Sequence, residues 1–235
     1  MSFFKDLLPV FKRQDIIFDR SVKAADDVYT FIFRPEAKIR WNAGQHALFT
    51  IKHEKISKAF RPFSLASTAE DGFIEISTRI GDKPSPFKQS LLNMKPGTRV
   101  SMRGPFGSFY LKNSRPTLLI AGGIGITPFK SILKSIDAGN GFVPEQTRLV
   151  YIDSAQAYLY RDDLDGMAGA HGIEIGYLSN RDDLAASITS FAREHGNDAN
   201  YFIAGSPQMT KSVSSLLRDH NIRKQNIVKD AFFGL

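Results

Sequence analysis

The chain has 235 residues, with 31 Lys and Arg against 24 Asp and Glu, five His and no Cys. This length predicts one large domain or two small ones, and the absence of Cys excludes disulfides, Cys-ligated zinc and an iron–sulfur cluster within the sequence. The net charge of +7 favours acidic partners; no motif supports nucleic acid, so none is expected as a partner. No apolar stretch approaches the roughly 20 residues of a membrane span, which predicts a cytoplasmic protein with no integral membrane segment.

Residues 1–113 are predicted to form an antiparallel β-barrel, because short β-rich segments alternate with turn signals there. The predicted strands are Gln14–Lys23, Val28–Arg34, His46–His53, Phe73–Ile80 and Thr98–Arg103. A polar, proline-containing link at Asn113–Pro116 then marks a change of pattern. We therefore predict a boundary between one domain, residues 1–113, and a second, residues 114–235.

The barrel contains the motif RPFSLAST, from Arg61 to Thr68. An arginine can hold a phosphate through two hydrogen bonds. Phe63 lies on the same face of the strand and can stack on a flat ring, and Ser64 offers a hydroxyl beside it. The set suits a flavin nucleotide, although an ordinary strand with a surface Arg and a core Phe would carry the same four residues.

Residues 114–235 are predicted to form an α/β domain with a parallel sheet, because apolar strands alternate with helices. The first predicted helix is Pro128–Ile136, and the predicted strands are Thr117–Ala121, Arg148–Ile152, Ile173–Leu178 and Tyr201–Ala204.

The first strand of this domain runs into the glycine loop AGGIGITP, Ala121 to Pro128. Such a loop before a helix lets backbone N–H groups approach a pyrophosphate at the positive end of the helix dipole. The loop is neither a Walker A motif nor the usual GxGxxG. A tight strand-to-helix turn without a ligand is the alternative for this loop alone.

The order of the motifs along the chain is more specific than any one of them: RPFS, GDKPSPF (Gly81–Phe87), GPFGSF (Gly104–Phe109), GGIGITPF, AGSPQM (Ala204–Met209) and a terminal DAFFGL. In this order the chain resembles the ferredoxin–NADP⁺ reductase family over residues 15–235. The resemblance implies a flavin-binding barrel followed by an NAD(P)-binding α/β domain whose C-terminal tail returns to the flavin.

The resemblance also implies residue roles. Arg61 would bind a flavin phosphate, Phe63 would stack on the flavin ring, and Ser64 would lie near flavin N5. The implied flavin-binding residues are Arg61, Pro62, Phe63, Ser64, Ser77, Thr78, Pro84, Ser85 and Pro86. The implied residues around the nicotinamide dinucleotide are Gly122, Gly123, Gly125, Ile126, Thr127, Pro128, Gly205, Ser206 and Met209. Phe232 and Phe233 of the tail would cover the exposed flavin face, so the implied catalytic residues are Ser64, Phe232 and Phe233.

Asp153 follows a predicted strand and can accept hydrogen bonds from ribose hydroxyls while repelling a 2′-phosphate. This placement favours NADH over NADPH. The polar segment Ser179–Arg181 follows the next strand and could instead bind that phosphate.

The resemblance implies a flavin-dependent NAD(P)H oxidoreductase. It would pass electrons through FAD, with FMN the less common choice in the family, to a separate acceptor. That acceptor would be a ferredoxin, a flavodoxin, an oxygenase component or a free electron acceptor. The alternative is a non-catalytic or regulatory interaction subunit with the same fold. A yellow protein bleached by NADH or NADPH would support the enzyme.

Overall fold

The computed structural model describes residues 13–169 and 172–231. They divide into two compact units, the first ending at Tyr110 and the second beginning at Leu111, slightly before the link at Asn113–Pro116. In the described part of the chain, no helix is both long and apolar enough to cross a membrane.

The first unit is an antiparallel, six-stranded half-barrel with strand order β4-β3-β6-β1-β2-β5. Its strands are β1 (Arg13–Ala25), β2 (Val28–Pro35), β3 (His46–Ile51), β4 (Phe60–Ser64), β5 (Ile74–Arg79) and β6 (Arg99–Phe106). Alternate residues of β3 are buried, namely Ala47, Phe49 and Ile51, as expected for a strand with one face on the core. The core is rich in aromatic rings, with Phe33 5.7 Å from Phe18 and 5.6 Å from Phe49.

One short helix, α1 (Pro86–Leu92), follows β5. It begins where Ser85 accepts a hydrogen bond from the N–H of Lys88 (3.4 Å) and where Pro86 supplies a helix-compatible φ. Phe87 and Leu91, four residues apart on one helix face, are buried in the barrel core. The first turn of α1 is thereby anchored to the barrel.

The second unit is a five-stranded parallel sheet with order β11-β10-β7-β8-β9. Its strands are β7 (Thr117–Gly122), β8 (Thr147–Ile152), β9 (Ile173–Leu178), β10 (Asn200–Gly205) and β11 (Ile227–Ala231), and its helices are α2 (Thr127–Asp137), α3 (Arg161–Met167), α4 (Arg181–His195) and α5 (Pro207–Asp219). Thr117 to Ala121 are all buried, which is typical of a central parallel strand. The predicted fold, an antiparallel barrel followed by a parallel α/β sheet, is confirmed.

The strand β11 was not predicted from the sequence. It is an edge strand beside β10, and its apolar residues Ile227 and Val228 are followed by Lys229 and Asp230. So short an apolar signal is not distinguishable from a loop. The terminal motif DAFFGL begins inside β11, whereas Phe232 and Phe233 lie outside the described residues.

Candidate cofactor sites

Arg61 lies on β4 with its guanidinium turned toward α1. Its Nη1 donates hydrogen bonds to the carbonyl oxygens of Lys58 (2.8 Å) and Phe60 (2.7 Å). The guanidinium carbon is 5.5 Å from the ring centroid of Phe87. Its Nε is buried and has no hydrogen-bond partner. Because an unpartnered buried donor costs free energy, this N–H suits an acceptor supplied by a ligand.

Lys88, in the first turn of α1, is a second cation beside Arg61, and sequence reasoning missed it. Burial and the nearby positive charge of Arg61 lower the pKa of Lys88 below its usual range. No ion pair to either residue is found among the described residues. Two neighbouring cations without a carboxylate partner fit a phosphate group, so this part of the unit fits a flavin nucleotide. The only sequence signal for Lys88 is its place three residues after the helix-capping Ser85.

Phe63 is fixed at the margin of the barrel core. Its ring packs edge-on against Phe49, at 5.5 Å, and lies 6.0 Å from the ring of Phe87. The residue remains partly exposed, as a ring that stacks on a flat ligand must. Ser64 is 4% exposed and pairs with His46 across β3 and β4.

The other predicted flavin residues have side chains that are either small or hydrogen-bonded within the first unit. The hydroxyl of Ser77 shares a 2.6 Å hydrogen bond with Thr30, and that of Thr78 donates to the carbonyl of Arg79 (3.5 Å). These hydroxyls serve the barrel, so contacts from β5 to a ligand would come from its backbone. Pro62 and Pro86 are exposed and Pro84 is partly buried, and Ser85 caps α1.

The glycine loop of the second unit packs directly on the end of β10. Gly122 ends β7, a 3₁₀ turn spans Gly123–Ile126, and α2 follows at once. A Cβ on Gly125 would lie 2.3 Å from the carbonyl oxygen of Ala204, a distance that no side chain tolerates. Glycine is required here by the close approach of two backbones.

Met209 connects the two loops. A Cβ on Gly122 would lie 2.1 Å from the Met209 sulfur, and one on Gly205 would lie 2.9 Å from it. Ser206 begins α5, accepting a hydrogen bond from the N–H of Met209 (3.2 Å). The structure thus brings together Gly122, Gly125, Gly205, Ser206 and Met209, which the resemblance places around one ligand.

These loops lie where ligands bind in open α/β sheets. From β7 the chain adds β8 and β9 on one side and then returns to place β10 on the other. The crevice beyond the carboxyl ends of strands at such a reversal is the usual ligand site. The side chains of Ile126 and Thr127 are buried, and the Thr127 hydroxyl donates to the carbonyl of Ile124 (2.7 Å). Together with the buried Pro128, they shape the loop and leave its backbone for a ligand.

Asp153 follows β8, whose last residue Ile152 pairs with Gly122. Its carboxylate accepts a hydrogen bond from the N–H of Ala155 (2.9 Å), and its own N–H donates to Leu178 (3.0 Å). Only 6% of the residue is exposed. Asp153 therefore stabilises the turn after β8 as well as lying beside the glycine loop. Within 13–169 and 172–231, no three His, Asp or Glu side chains are grouped to hold a metal ion.

Comparison with known proteins agrees with this geometry. The family described as "Oxidoreductase FAD-binding domain" matches residues 16–110. The electron transfer component of toluate 1,2-dioxygenase from Pseudomonas putida is 28% identical over 184 residues, covering 73% of this chain and 54% of the relative. One component of the Na⁺-translocating NADH-quinone reductase from Shewanella denitrificans is 24% identical over 229 residues, covering 86% of this chain and 56% of the relative. The chain thus spans about half the length of these relatives.

Among solved structures, the H286L mutant of ferredoxin-NADP⁺ reductase from Plasmodium falciparum superimposes with a TM-score of 0.80. It is 17% identical in sequence, and the match covers 97% of this chain and 99% of that one. This likeness shows the fold, while the family match identifies the first unit as an FAD-binding domain. Residues 16–110 therefore match a family of FAD-binding oxidoreductase domains, and the two units together have the fold of ferredoxin–NADP⁺ reductase, as the order of the motifs predicts.

Proposed function

We propose that this chain is a flavin-dependent NAD(P)H oxidoreductase that passes electrons through bound FAD to a separate acceptor. The observation that carries the proposal is the pairing of two glycine loops at the reversal point of the second sheet, where Gly125 packs on Ala204. They follow, in the same chain, a matched FAD-binding domain. A pure interaction subunit has no need of two glycine loops packed together at the strand reversal where open α/β sheets bind nucleotides.

Bound FAD would supply the conversion of a two-electron hydride into single electrons for an acceptor. The protein's part is to bind, orient and exclude water. Arg61 would hold the flavin phosphate, Phe63 would stack on the flavin ring, and Ser64 would lie beside that ring. The loops at Gly122–Pro128 and Gly205–Met209 would hold the dinucleotide. The resemblance implies that the tail residues Phe232 and Phe233 would cover the flavin and give way to the nicotinamide.

The acceptor is a molecule outside these 235 residues, which have no Cys to hold a cluster. An acidic carrier such as a ferredoxin, a flavodoxin or an oxygenase component suits the net charge of +7. The P. putida relative is named for electron transfer to a dioxygenase, which supports this class. Turnover with an acidic carrier should fall as salt rises, because screening shortens the reach of surface charge. A flat salt dependence would favour a small-molecule acceptor.

The decisive experiment is spectroscopic. The purified protein should be yellow, release FAD on denaturation, and bleach under anaerobic conditions when NADH or NADPH is added. Reoxidation by a panel of carriers then identifies the acceptor class. A colourless protein that takes up no FAD would overturn the proposal in favour of the interaction subunit.

A further inference from the structure

We propose that Lys88 binds the phosphate of the flavin nucleotide together with Arg61, so that a cation pair and not a lone arginine anchors the cofactor. This inference rests on the proposed function and adds a binding residue to it. A flavin diphosphate carries two negative charges, which the two cations would match.

The fold places the first turn of α1 next to Arg61. The guanidinium of Arg61 lies 5.5 Å from the ring of Phe87, and Lys88 is the next residue along α1. The first turn of α1 is fixed by the hydrogen bond from the Lys88 N–H to Ser85 and by the burial of Phe87. The backbone of Lys88 is therefore held in the first turn of α1, directly after the ring that the Arg61 guanidinium approaches.

Arg61 and Lys88 differ from the other cations of limited exposure within residues 13–169 and 172–231. Those others are paired: Lys130 lies 3.1 Å from Asp163, and Arg148 lies 2.8 Å from Glu174. Arg61 and Lys88 have no such carboxylate among the residues that the structure describes. The buried Nε of Arg61 also has no acceptor. Two like charges held close together, beside an unpartnered donor, indicate a site for an anion.

A purely structural role is the competing explanation. The aliphatic stem of a lysine can cover apolar surface while its ammonium reaches water. Such a role predicts equal effects of substitution on every flavin, with or without a phosphate. Phosphate binding predicts an effect that depends on the phosphate.

The experiment compares flavins that differ in phosphate content. Flavin is removed from the wild-type chain and from Lys88→Met, which keeps the apolar stem, and each is titrated with FAD, FMN and riboflavin. We expect Lys88→Met to weaken FAD and FMN binding about tenfold or more, as for a lost charge-assisted hydrogen bond. Riboflavin binding should change by less than about twofold, and the loss for FAD should shrink as salt rises.

Two further variants complete the test. Lys95→Met removes an exposed lysine of the same unit and should leave all three affinities unchanged. Lys88→Arg keeps the positive charge and should bind FAD with an affinity close to that of the wild type. It serves as the test variant if Lys88→Met is poorly folded. An equal loss for riboflavin and FAD, or no loss for FAD, would overturn the role of Lys88. A wild-type chain that binds no flavin would instead overturn the proposed function.

Discussion

The two candidate sites of this protein are built by opposite means. In the first unit, the guanidinium of Arg61, on β4, lies against Phe87 in the first turn of α1, which also carries the second cation, Lys88. In the second unit, the absence of side chains at Gly122, Gly125 and Gly205 lets two loops and Met209 pack closely against one another. The first site should therefore respond to charge, salt and pH, and the second to volume.

The largest effect should come from volume in the second unit. A methyl group on Gly125 would meet backbone atoms of β10, which cannot move aside as a side chain can. Gly125→Ala should therefore lower the free energy of unfolding by about 3 kcal/mol or more and abolish nucleotide binding. Urea denaturation and dinucleotide titration measure the two effects.

Gly166→Ala is the matched control for that substitution. Gly166 lies in α3 with nothing within 4 Å of a built Cβ, so alanine should stabilise the helix by up to about 1 kcal/mol. If Gly125→Ala were as stable as Gly166→Ala, the close packing of the loop on β10 would be wrong.

The next effect concerns charge in the first unit. Arg61→Ala removes the partner of a bound phosphate and should weaken FAD binding by about 2 kcal/mol or more, seen as low flavin content on purification. Arg99→Ala, which breaks an exposed ion pair with Glu36, should leave flavin content unchanged. Full flavin occupancy in Arg61→Ala would remove Arg61 from the site.

The same contrast explains what could be predicted from the sequence. The glycine loop could be predicted because its residues are adjacent in the chain and their conformation depends mainly on the local sequence. The proposed role of Lys88 could not be predicted, because α1 comes close to Arg61 only when it packs on the barrel through Phe87. The pattern of apolar residues predicted the buried strands. It did not predict β11, because the two apolar residues at its start, Ile227 and Val228, are too few to distinguish a strand from a loop.

A smaller effect is expected from substituting Asp153, a charged residue that lies beside the glycine loop of the second unit. Asp153→Asn keeps a side-chain oxygen for the N–H of Ala155 but removes the charge that would repel a 2′-phosphate. We expect the ratio of kcat/KM for NADPH over NADH to rise, by about tenfold if the screened repulsion is near 1.4 kcal/mol. An unchanged ratio would shift the specificity role to Arg181, where Arg181→Ala should then impair NADPH alone.

The smallest expected effect is that of Lys88→Met on the stability of the flavin-free protein. Its sign should be opposite to that of the effect on FAD affinity. Because burial and Arg61 lower the pKa of Lys88 from 10.5, the folded chain binds this proton less tightly than the unfolded chain does. Stability must then rise with pH through the window from the lowered pKa up to 10.5. At neutral pH the charged Lys88 is a cost, which solvent screening keeps small because the side chain is only partly buried.

Lys88→Met should therefore stabilise the flavin-free protein slightly at neutral pH, and this gain should shrink as the pH approaches 10.5. With saturating FAD, Lys88→Met should instead lower the stability, because a ligand that binds more weakly stabilises the folded state less. Urea denaturation at neutral and alkaline pH, with and without FAD, measures both signs, and Lys95→Met should show neither. A flavin-free Lys88→Met protein that is less stable than wild type would contradict this prediction. The packing of the lysine stem would then stabilise the fold more than its charge destabilises it. A bound phosphate would have no electrostatic cost to relieve at Lys88.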